Sequence, residues 1–158
     1  MVNVPGYHWS VLTLRKYITS EKELFTLLSI GLLLIRLVFG LTFAAHGLQK
    51  LFGWFGGHGL AGTASFMESL GLNPGRFFAA LAGSGEVAGG LLLALGLWLP
   101  LAALLIVVPM LVAIAKVHGA KGYWLTSGGF EYNAAIIAVA IGLALTGPGA
   151  YSLASLIK

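Results

Sequence analysis

Four runs of apolar residues, each close to the length of a membrane-crossing helix, fill most of this chain. The first lies within "SEKELFTLLSIGLLLIRLVFGLTFAAHGLQKLFG" and carries one charge, Arg36, along its apolar stretch. A hydrocarbon layer of about 30 Å takes roughly 20 residues of helix to cross. Composition points the same way: 58% of residues are hydrophobic and 9% are charged, against roughly 25% charged in soluble domains. The solvent such a surface suits is lipid. The 158 residues leave room for four spans with short connections, in one domain over 1–158.

The limits of the spans follow from local signals. Ser20 and Glu23 form a capping box that starts span 1, about 21–51. Gly53, Gly56, Gly57 and Gly59 break it, and "TASFMESLG" is expected as a short interfacial helix ended by Gly71. Asn73 followed by Pro74 reads as a cap with proline at the first helical position, opening span 2 at about 75–98. Leu99-Pro100 turns the chain into span 3, about 100–118, which Pro109 should kink by removing one backbone hydrogen bond. After the loop "HGAKGYWLTSGG", span 4 runs over about 130–146 and stops at Gly147-Pro148-Gly149. The predicted fold is an all-α membrane protein, an antiparallel bundle of four transmembrane helices with a short interfacial helix between spans 1 and 2. Trp9 and Trp98 would mark one face of the membrane and Trp54 and Trp124 the other.

Charge says more about orientation than about partners. The formal net charge of +4 is spread thinly, with no basic run for nucleic acid, and the absence of cysteine removes thiol and disulfide chemistry. Arg15, Lys16, Glu21, Lys22 and Glu23 precede the first long apolar run without a cleavage site, so residues 1–26 are not expected to be a cleaved signal. Four spans put both termini on one side with Arg15, Lys16, Lys22 and Lys158. Lys50, Arg76, Lys116 and Lys121 fall on the other. Once the helix-end residues Lys50 and Lys116 are discounted, the positive-inside rule places both termini in the cytoplasm of a multi-pass protein of the cell (plasma or inner) membrane.

The polar residues inside the spans are the candidates for function. Span midpoints near Phe39 and Val87 put Arg36 and Glu86 within about 5 Å of the bilayer centre. A lone charge there costs several kcal/mol, so the two are expected to face one another, as a site or as a packing and register device. Gly85, Gly89 and Gly90 would let a neighbouring helix approach closely. A second group lies roughly 10 to 18 Å toward the side opposite the termini: His46, Gln49 and Lys50 on span 1, Lys116 and His118 on span 3, and Glu131, Tyr132 and Asn133 on span 4. Singly, each reads as interfacial decoration. Together, with little comparable at the terminal side, they predict a polar pocket opening to the non-cytoplasmic face.

These residues also carry a resemblance. "HGLQKLFG", "AGSGEVAGGLLLALG", "MLVAIAKVHG", "GGFEYNAA" and "LTGPGAYSL" occur in an order and spacing that resemble the DoxX family of small four-helix membrane proteins, over about residues 30–153. One departure is Ala154, where family members often carry an aspartate. The resemblance implies kinship with membrane subunits linked to thiosulfate:quinone oxidoreduction. It also implies kinship with a membrane component that brings superoxide dismutase and a sulfurtransferase together.

Three chemistries suit the residues. A quinone site needs an apolar slot, donors to two carbonyl oxygens and a proton-exchanging group. His46, His118, Tyr132 and Asn133 would donate, Glu131 or Glu86 would exchange protons, and Lys50 and Lys116 would favour an anionic ring or a small oxyanion. With Arg36, these are the expected binding residues, with Glu86, Glu131 and His46 as the reacting ones. No cofactor is expected to be covalently bound, and electrons would come from a soluble redox partner protein or directly from a substrate. The metal alternative uses His46, His118 and Glu131 as a two-histidine, one-carboxylate set, and His46 with His118 could in principle hold a haem. The non-enzymatic alternative is a membrane scaffold docking a soluble enzyme through "GWFGGHGLAG" and "GYWLTSGG", with or without homo-oligomerisation. A transporter ranks last, since four short helices without a repeat offer little for alternating access.

Overall fold

The computed structural model describes residues 21–157, and every regular element in it is helical. Helix α1 spans Glu21–Phe52, and a 3-10 turn at Trp54–Gly56 leads into α2, Gly59–Ser69. Helix α3 spans Gly75–Leu95. Helix α4, Leu99–Ala113, continues through a π-helical turn at Ile114–His118 and a 3-10 turn at Gly119–Lys121. A 3-10 turn at Leu125–Ser127 precedes α5, Glu131–Thr146, and α6 is a short helix at Leu153–Leu156. Three of these are long and apolar enough to cross a membrane: Glu21–Phe52, Gly75–Leu95 and Leu99–Lys121. Helix α5 is apolar but shorter, at 16 residues. Trp9, Arg15, Lys16, Lys158 and the Ser20 half of the capping box lie outside the described residues.

Several expected boundaries move, each for a local reason. Span 2 ends at Leu95 rather than 98, because Gly96 adopts a left-handed conformation with φ 69°. The amide of Gly96 then reaches Leu93 O and that of Leu97 reaches Leu92 O, which closes the last turn on its own carbonyls. Helix α2 stops in the same way: Gly71, at φ 79°, bonds Glu68 O while Leu72 bonds Met67 O. At the other end of α3, Asn73 does not cap. Pro74 occupies the cap position with no side-chain hydrogen bond, and its carbonyl accepts from the amides of Phe77 and Phe78. Gly75 is pressed onto α2, where a Cβ would sit 2.3 Å from Ala64 O, so the helix starts at the residue that fits this contact. Helix α4 continues through Pro109, and five residues later, at Ile114, the backbone widens into the π turn.

Close approach of backbones organises the interior. A Cβ on Gly40 would lie 2.6 Å from Gly90 O and from Ala94 N, and one on Gly47 would lie 2.5 Å from Gly83 O. Helices α1 and α3 therefore run antiparallel in direct backbone contact, through glycines seven apart on each helix. Gly89 faces α4 instead, against Leu105 and Ala102, and Gly85 touches Leu105 only loosely. The remaining core is Phe43, Leu93, Leu99, Ala102, Ala103, Ile106, Ile136, Ala140 and Leu143. Leu34, Val38, Leu104, Leu111 and Leu145 point outward, while Arg36 and Glu86 are buried. An apolar exterior around buried charge is the arrangement that lipid, not water, rewards.

Candidate functional site

Glu86 comes from the middle of α3 and is 2% exposed. Its partner is Lys50, in the last turn of α1, whose Nζ donates to both carboxylate oxygens. The Lys50 side chain is 29% exposed, so the pair reaches from the interior to the edge of the bundle. Thr63 of α2 donates to Lys50 O at 3.2 Å and fixes the backbone of that last turn.

The expected Arg36–Glu86 pair does not form. The glycine contacts place Glu86 opposite about residue 46 of α1, whereas equal midpoints would place it opposite about residue 40, a difference of roughly 9 Å. Helix α1 extends past α3 at its N-terminal end, with Leu24, Phe25, Leu27 and Leu28 exposed, so the centre of its apolar run is not the centre of its packing. Arg36 instead lies against Gly96, where α3 ends, and donates through Nη2 to Tyr151 O.

One turn before Lys50 on α1, His46 is exposed and its Nδ1 is 2.9 Å from Gln49 Oε1. The Gln49 amide nitrogen in turn donates to Phe55 O at 3.2 Å. That second bond orients the amide with its oxygen toward the imidazole, so Nδ1 is the donor in this contact. His46 and Lys50 share one face of α1, being four residues apart.

The remaining members of the expected cluster divide into separate groups. His118 Nδ1 is 2.7 Å from Gly128 O, and Glu131 Oε2 accepts from the amide of Leu125 at 2.9 Å. Both side chains tie down the α4–α5 loop. Asn133 is buried, with Nδ2 3.3 Å from Met110 Sδ, while Lys116 and Tyr132 are exposed. Among the described residues no three His, Cys, Asp or Glu side chains are grouped to hold a metal ion. His46, His118 and Glu131 are thus not grouped, and each makes its own local contact, with Gln49, Gly128 O and the Leu125 amide respectively.

The DoxX family profile matches residues 31–119. The chain belongs to the DoxX family. Over 118 residues, 75% of this chain and 80% of the relative, it is 33% identical to a Bacillus subtilis (strain 168) protein named "Putative oxidoreductase CatD". No solved structure matches significantly. Family membership together with the apolar helices makes this an integral membrane protein in contact with the lipid bilayer. The matched region holds Arg36, His46, Lys50, Glu86, Lys116 and His118, and leaves Glu131, Tyr132 and Asn133 beyond it.

Residues that sequence reasoning passed over also take part. Thr63 anchors Lys50, and Phe55 sets the Gln49 amide through its carbonyl. Ser29 receives the amide of Ala150 at 3.2 Å, and Tyr151 holds Arg36. The seven-residue spacing of Gly40 and Gly47 against that of Gly83 and Gly90 was a legible signal for the α1–α3 register. Backbone carbonyl partners leave no such signal.

Proposed function

We propose that this DoxX protein is a redox-linked membrane subunit that engages a lipid-soluble quinone headgroup at the C-terminal end of α1. The observation that carries this reading is the His46–Gln49–Phe55 chain beside the Lys50–Glu86 pair. It offers an imidazole oriented through Nδ1 at an exposed position, and a partly exposed ammonium one turn away. Those groups fit a ring bearing hydroxyl or carbonyl oxygens among apolar side chains.

The quinone supplies two-electron carrier chemistry in the lipid phase. In its neutral form His46 would accept a proton at Nε2 from a ring hydroxyl, with Gln49 Oε1 accepting from Nδ1 before and after. Lys50 draws an oxyanion toward the same level, and Glu86 holds Lys50 in place by occupying two of its donors. The name of the Bacillus relative supports redox chemistry. In this reading α5 serves as the fourth crossing of an antiparallel bundle, and both termini face the cytoplasm of the cell membrane. A soluble partner protein exchanges the electrons.

The exposed aromatic residues Trp54, Phe55 and Trp124 favour a second reading, a scaffold that docks a soluble enzyme through these loops. Titration of the purified protein in mild detergent with a ubiquinone or menaquinone analogue separates the two. The quinone reading expects saturable quenching of tryptophan fluorescence that is lost in His46→Ala. No saturable quenching in the parent protein refutes it, and partner capture lost in Trp54→Ala or Trp124→Ala would then support the scaffold.

A further inference from the structure

Arg36 is the largest fully buried side chain among the described residues, at 0% exposure. Tyr151 O takes one of its donors, from Nη2, while Nε and Nη1 are buried with no hydrogen-bond partner among the described residues. A guanidinium stays charged in proteins, and a buried cation without compensation is strongly unfavourable. The chain has five carboxylate side chains, all glutamate. Glu86 is bound to Lys50, Glu131 to the Leu125 amide, and Glu68 packs on Gly75. Glu21 and Glu23 stand in the first turn of α1, thirteen or more residues away, roughly 20 Å along the helix. None of them neutralises Arg36.

Three elements converge on this guanidinium. A Cβ at Gly96 would fall 1.6 Å from Nη1, and the same point lies 2.7 Å from Ser152 Cβ. The segment 149–152 is fastened over α1, with Gly149 on Ser29 and Leu32 and the Ala150 amide on Ser29 Oγ. Trp98, two residues beyond Gly96, is 74% exposed at the turn between α3 and α4. Exposed tryptophans favour the headgroup level, so the site lies near an interface rather than at mid-span.

We propose that Arg36 binds one phosphate-type oxyanion, held through the N–H groups that Tyr151 leaves unused, between α1, the Gly96–Trp98 turn and the 149–152 segment. The anion supplies the counter-charge that no described side chain gives Arg36, through charge-assisted hydrogen bonds. Its source is the headgroup of an anionic lipid or free inorganic phosphate. The site is independent of the quinone reading, since Arg36 and His46 are ten residues apart on α1, roughly 15 Å.

Ser152 provides a selective variant. Its hydroxyl oxygen accepts from the Ser155 amide as the cap of α6, a role aspartate also fills. Ser152→Asp therefore keeps the cap and places a carboxylate beside the guanidinium. The full-length protein in neutral detergent is followed by thermal unfolding at constant ionic strength. It is titrated in one arm with inorganic phosphate against chloride, and in another with phosphatidylglycerol against phosphatidylcholine in mixed micelles. A ligand at a hundredfold over its Kd should raise Tm by about 5–10 °C in a chain of this size. The expected result is a saturable rise in the parent protein in one arm, which identifies the source. Arg36→Gln should show none, and Ser152→Asp should start at a higher Tm and not respond. No response beyond the controls in either arm overturns the proposal and leaves water as the partner of Nε and Nη1. An undiminished response in Ser152→Asp also overturns it, by placing the anion elsewhere, and this comparison holds even if Arg36→Gln does not fold.

Discussion

Breaking the Lys50–Glu86 pair from its two ends should have unequal effects. Glu86 is 2% exposed and Lys50 29% exposed. Lys50→Met leaves a carboxylate that cannot reach water, and losing one partner of a buried pair costs about 3–5 kcal/mol. Glu86→Gln leaves an ammonium whose stem can straighten and carry the charge to the interface, and the amide oxygen still accepts. The cost there is about 1–3 kcal/mol. At about 2–4 °C per kcal/mol for a chain of this length, Lys50→Met should lower Tm by about 6–20 °C and Glu86→Gln by clearly less. The double variant removes both charges, so it should be milder than Lys50→Met alone, with a coupling energy of about 1–3 kcal/mol. Thermal unfolding in detergent, read by tryptophan fluorescence, measures all three. Equal losses in the single variants, or a double variant equal to their sum, would refute the geometry argued for the pair.

Two further perturbations probe the packing and the loop. Gly90→Ala puts a Cβ 2.5 Å from Ala44 N and Gly40 O, so it should push α1 from α3 and cost about 1–3 kcal/mol. Gly31→Ala meets nothing within 4 Å and should gain up to about 1 kcal/mol from helix propensity; the two unfolding curves should move in opposite directions. Glu131→Ala removes the acceptor of the Leu125 amide, costing about 1 kcal/mol, and should speed hydrogen exchange at Leu125, whereas Glu131→Gln should retain most of the protection.

The unequal legibility of these features has physical causes. The helix ends at Gly71 and Gly96 depend on one residue's access to positive φ, which residue type announces, although the second was read three residues late. The pairing of Arg36 and Glu86 depends on how far α1 slides along α3, and composition is indifferent to that slide. It is set where backbones touch, at Gly40 with Gly90 and Gly47 with Gly83, and those contacts hand Glu86 to Lys50. His118 and Glu131 looked like members of a shared pocket because they lie at one depth. Their partners are the Gly128 carbonyl and the Leu125 amide, groups that every residue carries and no sequence pattern marks.

What the sequence by itself determined is the medium and the material: long apolar helices with two charges among them, belonging in lipid, and a family in which such helices are assembled. Hydropathy and glycine positions suffice for that, because both act within a few residues along the chain. Only the tertiary structure decided which cation meets Glu86, and that Arg36 is buried with no carboxylate partner among the described residues. Those outcomes depend on distances between segments 36 to 115 residues apart, from Lys50–Glu86 to Arg36–Tyr151. At such separations a shift of one helical turn changes every partner while leaving the hydrophobic pattern unaltered.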